Sequence, residues 1–158
     1  MNKRQFHQQS GVILLEALIA ITIFSFGILG LIAMQAAAIK QANDAQSRAS
    51  AAYLANQMIG QIWVDRGNLN DYVYQETGAV GANGAACAFS GTSPAASPNV
   101  GVWLGNSAQR DSVLGALPGA SAQIKVEPAT NLITVTICWK APQESVTHNF
   151  TSTGLISG

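Results

Sequence analysis

The sequence predicts an α+β protein in which a long N-terminal helix packs on a small C-terminal antiparallel β-sheet. Three observations carry this. A 23-residue run from Val12 to Met34 holds one charged residue, Glu16. From Gln35 to Val64 the chain continues without proline and is rich in Ala, Gln, Leu, Met and Arg, all good helix formers. In the last third, apolar residues alternate with polar ones in three short runs, the pattern of strands with one buried face.

At about 1.5 Å rise per residue the first run gives roughly 35 Å of helix, enough to cross a bilayer. Lys3 and Arg4 precede it and Lys40 follows it at a distance, so the positive-inside bias sets a cytoplasmic N-terminus and an exported remainder. In a Gram-negative cell that makes a single-pass inner-membrane protein with a periplasmic body. The run is longer than the apolar core of a secretory signal, about 7 to 15 residues. A plain signal anchor accounts for its length but leaves Glu16, a costly charge in a membrane helix, without a role. Gly27 and Gly30 each cost about 1 kcal/mol of helix propensity relative to Ala, and their spacing does not make a Gly-x-x-x-Gly pairing motif.

Beyond the membrane half, Leu54, Met58 and Ile62 recur every four residues with Ile59 and Trp63 beside them, a stripe suited to packing on a soluble body. Trp63 and Tyr53 are expected in the core, because buried aromatics supply much of a small one. Arg66-Gly67-Asn68 reads as the helix stop, with Gly67 able to take the left-handed conformation. Residues 67–120, rich in Gly, Ala, Ser and Pro, read as a long and largely irregular connection. A short edge strand is expected over Tyr72–Gln75 and a short helix over Asp111–Leu117. Ala122, Ile124 and Val126 then alternate, Pro128-Ala129-Thr130-Asn131 turns, and Ile133, Val135, Ile137 and Trp139 alternate again. A third run, Ser145–Thr151, places Val146, His148 and Phe150 on one face, after a turn at Ala141–Glu144. Such a sheet needs a cover, and the amphipathic end of the helix is available.

The composition excludes several function classes. Eight basic and eight acidic residues balance, and losing Lys3 and Arg4 would leave the remainder mildly acidic. Arg48, Arg66, Arg110, Lys125 and Lys140 are scattered, which argues against nucleic acid as a partner. No nucleophile stands near a plausible base, and the glycines of 78–84 lack the Lys-Ser/Thr of a phosphate loop, so no catalytic residue, cofactor or enzymatic activity is expected. Asp65, Asp71 and Glu76 do not match a calcium loop, and no metal site is expected. Cys87 and Cys138 both fall beyond the membrane run, where an oxidising periplasm joins them. Their disulfide closes a loop of about 50 residues, worth about 3–4 kcal/mol by chain entropy. On the strand alternation Cys138 faces away from Ile137 and Trp139, so the bond is expected to hold the connection over the sheet's outer side. His7 precedes the apolar run, so His148 stands alone beyond it and is expected to be structural.

Lys3, Arg4, Gly11, Val12 and Glu16 together resemble the class III leader of type IV pilins and type II secretion pseudopilins. The resemblance is sequence-specific over residues 1–40 and architectural beyond. It implies cleavage by prepilin peptidase between Gly11 and Val12, N-methylation of Val12 by the same enzyme, and use of Glu16 in subunit docking. Val12 stands where phenylalanine is commoner, major pilins carry a membrane-helix proline that is missing here, and Cys138 lies in a middle strand. These departures look more like a minor pilin of the PilV type. The implied organisation is a leader (1–11), a transmembrane or filament-core half-helix (12–35), an amphipathic half (36–66) and a periplasmic body (67–158). The body divides into a variable connection (67–120) and the sheet (121–151), the whole being a type IV pilin fold. The implied function is pilus assembly in a tip or priming complex with other minor and major pilins, moving from the inner membrane into the filament. A minor pseudopilin of type II secretion, or a signal-anchored periplasmic binding or adhesion module, are the alternative readings.

Overall fold

The computed structural model describes residues 10–82, 85–142 and 144–156 of the 158-residue chain. Helix α1 runs from Ser10 to Val64. The chain divides into two compact units, Met1–Asp44 and Ala45–Gly158.

In the first unit every residue from Val12 to Asn43 is exposed. The helix is apolar around its whole circumference from Val12 to Met34, and it is long and apolar enough to span a membrane. Its two hydroxyl side chains suit that setting. Thr22 Oγ1 donates to the Leu18 carbonyl and Ser25 Oγ to the Ile21 carbonyl, each at 2.7 Å, so neither needs water.

The second unit is the α+β body. The last turns of α1 lay Ala51, Leu54, Ala55, Met58 and Ile62 against the sheet, all buried. The sheet has the order β3-β4-β5, all antiparallel, with β3 Ser121–Glu127, β4 Leu132–Trp139 and β5 His148–Leu155. Its inner face presents Ala122, Ile124, Ile133, Val135, Ile137 and Trp139. Helix and strand β5 approach closely: a Cβ at Gly154 would lie 2.7 Å from Ile59 Cγ2, and Ser152 Oγ donates to Asn56 Oδ1 at 2.8 Å.

Several expectations are corrected. Trp63 and Tyr53 are 44% and 66% exposed rather than core residues. Each adjoins a buried stripe residue, Ile62 and Leu54, and one helical step turns a side chain by about 100° away from the sheet. Trp103 fills the aromatic core position instead, its Nε1 donating to the Leu54 carbonyl at 2.9 Å. The helix does not stop on a left-handed Gly67. It passes through Asp65 into a 3-10 turn, Arg66–Tyr72, where Asp65 accepts hydrogen bonds from Asn68 Nδ2 and the Tyr72 hydroxyl. No strand covers Tyr72–Gln75. Tyr74 alone bridges to Ile124, because Gln75 turns out of the extended region at φ 51°.

The connection of residues 67–120 is better ordered than its composition implies. It holds a small hairpin, β1 Thr77–Ala79 with β2 Ala88–Ser90, and helices α2 Pro98–Leu104 and α3 Val113–Ala116. Proline opens α2 behind Ser97, the arrangement that suits a first helical turn. Strand β5 begins at His148 and ends at Leu155, so the sheet extends beyond residue 151, and Ser145–Thr147 lie outside it. The inward positions Ser152 and Gly154 are small because the helix lies close, and small residues hide the alternation on which sequence reading relies.

These assignments predict opposite responses to truncation of two large side chains. Ile137→Ala should destabilise the body by about 2–5 kcal/mol. Trp63→Ala should stay within about 0.5 kcal/mol. Urea unfolding of the full chain in detergent micelles compares them, and similar losses would contradict the packing described.

Candidate functional site

Gly11 and Val12 lie in the opening turn of α1, and Glu16 lies one turn further on. The positions sharing its face are Val12, Ile13, Ile19 and Ala20, none of which can meet a charge. Glu16 is exposed, and among the described residues no basic group pairs with it. Lys3 and Arg4 lie outside the described residues. The local chemistry is therefore a carboxylate on an apolar cylinder, able to take a cation from outside the chain. A chain beginning at Val12 would put a free amine at the positive end of the helix macrodipole, about 6 Å of helix rise from Glu16.

The body contributes a pinned surface. Cys87 and Cys138 form a disulfide with Cα atoms 6.5 Å apart. Cys138 shares the outer face of β4 with Thr134 and Thr136 and is buried, as is Gln123 across from Thr136 on β3. Gln123 Nε2 donates to the carbonyls of Gln75 and Thr77 at 2.7 and 3.0 Å, and Lys125 Nζ to that of Gly78 at 3.3 Å. The connection thus lies over the outer side of the sheet, as the alternation of β4 requires. Gln123 was not singled out in the sequence, where it is one polar residue in an alternating strand.

Glu76 forms a second tie. Its Oε2 accepts from the Thr92 backbone N–H at 2.8 Å and its Oε1 from the Thr92 hydroxyl at 3.0 Å. Gly91 is required beside it, since at φ 124° a Cβ would lie 2.6 Å from Glu76 Oε2. Asp65 accepts from Asn68 Nδ2 and the Tyr72 hydroxyl, so Asp65 and Glu76 each serve separate hydrogen bonds. His148 stacks on Trp139 with ring centroids 5.7 Å apart, and its Nε2 lies 2.7 Å from Glu144 Oε2. The imidazole ties the loop before β5 to the end of β4.

Comparison with protein-family models, with curated proteins and with solved structures finds no match for this chain. The site rests on its own residues.

The Thr92 backbone hydrogen bond, followed by the residue's own backbone N–H and the Thr92 hydroxyl, holds the Glu76 carboxyl below its ordinary value. A depressed folded-state pKa gives stability that is fully present above the unfolded-state value and lost as pH falls through the folded one. Glu76→Gln should therefore lower the unfolding midpoint at neutral pH, with the gap to wild type closing in acid. Thermal melts across that range check this, and a gap that persists unchanged into acid would contradict it.

Proposed function

We propose that this chain is a minor subunit of a type IV pilin-like filament, processed after Gly11 by prepilin peptidase, N-methylated at Val12 and docked through Glu16. In this reading the apolar half of α1 holds the subunit in the inner membrane and then joins the bundled helices of the filament. The Glu16 carboxylate of an incoming subunit pairs with the Val12 amine of a neighbour, and the body occupies the periplasm and later the filament surface or tip. Other minor and major pilins are the partners.

The observation that supports this most is the exposed, all-round apolar helix with its one carboxylate a turn beyond Val12. A membrane anchor needs the first and not the second. Two opposite charges about 4 Å apart attract by on the order of 4 kcal/mol at an effective dielectric of about 20. A pair in hydrocarbon is screened less than one in water. The small disulfide-pinned body on the end of the same helix fits a subunit whose work is assembly rather than catalysis.

Glu16→Ala should reduce incorporation into filaments at least about tenfold, the equivalent of about 1.4 kcal/mol of lost pairing, while the melting of the body stays unchanged. Immunoblots of sheared filaments against whole-cell protein measure it. Incorporation at the wild-type level would overturn the proposed docking.

A further inference from the structure

The part of the connection between Tyr74 and Ala95 rests on the body without entering it. None of its described residues is buried, and the apolar core takes up the chain only at Tyr74 and again at Ala95. Its strands, Thr77-Gly78-Ala79 and Ala88-Phe89-Ser90, offer one large apolar side chain, the half-buried Phe89. Several of its hydrogen bonds run within the stretch: Glu76 accepts from Thr92, and the Thr77 hydroxyl donates to the Ser90 carbonyl at 2.6 Å. Among the described residues its ties to the sheet are the bonds that Gln123 and Lys125 donate to the carbonyls of Gln75, Thr77 and Gly78, and the Cys87–Cys138 disulfide.

A hydrogen bond contributes little net free energy against the entropy of ordering the residues it fixes. With almost no apolar burial to add to them, the bonds from Gln123 and Lys125 are too few for a stretch of this length, and the disulfide is its fastening. The two sulfurs are placed unequally. Cys138 is 1% exposed on the outer face of β4, between Ser121 of β3 and Asn149 of β5, while Cys87 is half-buried and the more accessible of the pair. Neither Ser121 nor Asn149 is a large apolar side chain, so the connection above supplies much of the cover over Cys138.

We propose that the β1–β2 hairpin is a redox-gated strap, released from the outer face of the sheet when a dithiol reductant opens Cys87–Cys138, while the rest of the body stays folded. One thiolate of the dithiol attacks Cys87 Sγ, the S–S bond breaks, and Cys138 leaves as a thiolate that takes up a proton. The second thiolate of the dithiol then displaces Cys87 from the mixed disulfide. Two electrons have passed, both cysteines are thiols and the dithiol is a disulfide. The strap moves off and uncovers Gln123, Thr136 and the Cys138 thiol, all buried beneath the connection in the closed form. The last turns of α1 remain on the inner face of the sheet, because the core contains no residue of the strap. This device uses the body alone and is independent of the role given to Glu16.

The full chain in detergent micelles tests it, after a pulse of dithiothreitol removed by desalting. Timed alkylation with iodoacetamide, read by peptide mass, should modify Cys138 within about threefold of the rate at Cys87 in the same molecule, while the amides of Val135 and Ile137 keep their protection from hydrogen exchange. Cys87→Ser frees the strap without reductant. In that variant chymotrypsin should cut after Phe89 at least about tenfold faster than in the disulfide-bonded chain, with the bond after Trp139 left intact. Alkylation of Cys138 about tenfold or more slower than of Cys87 would mean that the strap stays shut without its disulfide, and would overturn the proposal. Loss of amide protection at Val135 and Ile137 on reduction would overturn it too, since the bond would then staple the whole body. So would unchanged cleavage after Phe89 in the Cys87→Ser variant.

Discussion

Glu16 stands on a helix whose surface is apolar on every side from Val12 to Met34, and a carboxylate placed in hydrocarbon without a partner costs several kcal/mol. The helix has no polar face to give it, and the residues one turn away in both directions are apolar. The helix is long and apolar enough to span a membrane and bonds Thr22 and Ser25 back to its own carbonyls, while Glu16 has no basic partner among the described residues. The proposed assembly follows from that imbalance, because a newly freed terminal amine is the cation that processing after Gly11 would create.

The body is built on the opposite principle, with polar groups answered inside the chain. Gln123 is buried yet donates to two carbonyls of the connection, Trp103 gives its indole N–H to Leu54, and the Tyr72 hydroxyl both donates to Asp65 and accepts from Asn99. These bonds and the Cys87–Cys138 link let a small unit cover both faces of a three-stranded sheet. A body of this size gains little from core volume alone. Cross-linking the long connection to the middle strand constrains the unfolded chain where composition provides little to pack.

Legibility in the sequence followed the strength of the periodic signal. The long helix, the three antiparallel strands and the inner face of β4 could be read, because apolar spacing of four or two leaves few alternatives in those stretches. The disulfide followed from cysteine number and position. Trp63 and Tyr53 misled because residue type suggested burial while the helical angle placed them outside. The limits of β5 were obscured by Ser152 and Gly154, which are small owing to Asn56 and Ile59 on the helix, a reason that lies far away in the chain. The order in residues 67–120 comes from contacts such as Glu76 with Thr92 and Ser97 with Asp71, which no local pattern announces. Glu16 was conspicuous in the sequence as a lone charge, and its exposed placement agrees with that. The docking partner proposed for it rests on the resemblance of residues 1–16 to a pilin leader.

Processing is the step on which the account turns, because the amine that would answer Glu16 exists only after the leader is gone. Intact-mass and N-terminal fragment spectrometry of the protein isolated from its own cells measures this directly. The account predicts a chain that begins at Val12 and carries one methyl group on its terminal nitrogen. A chain that retains Met1, Lys3 and Arg4 would contradict it and leave a signal-anchored periplasmic module in its place.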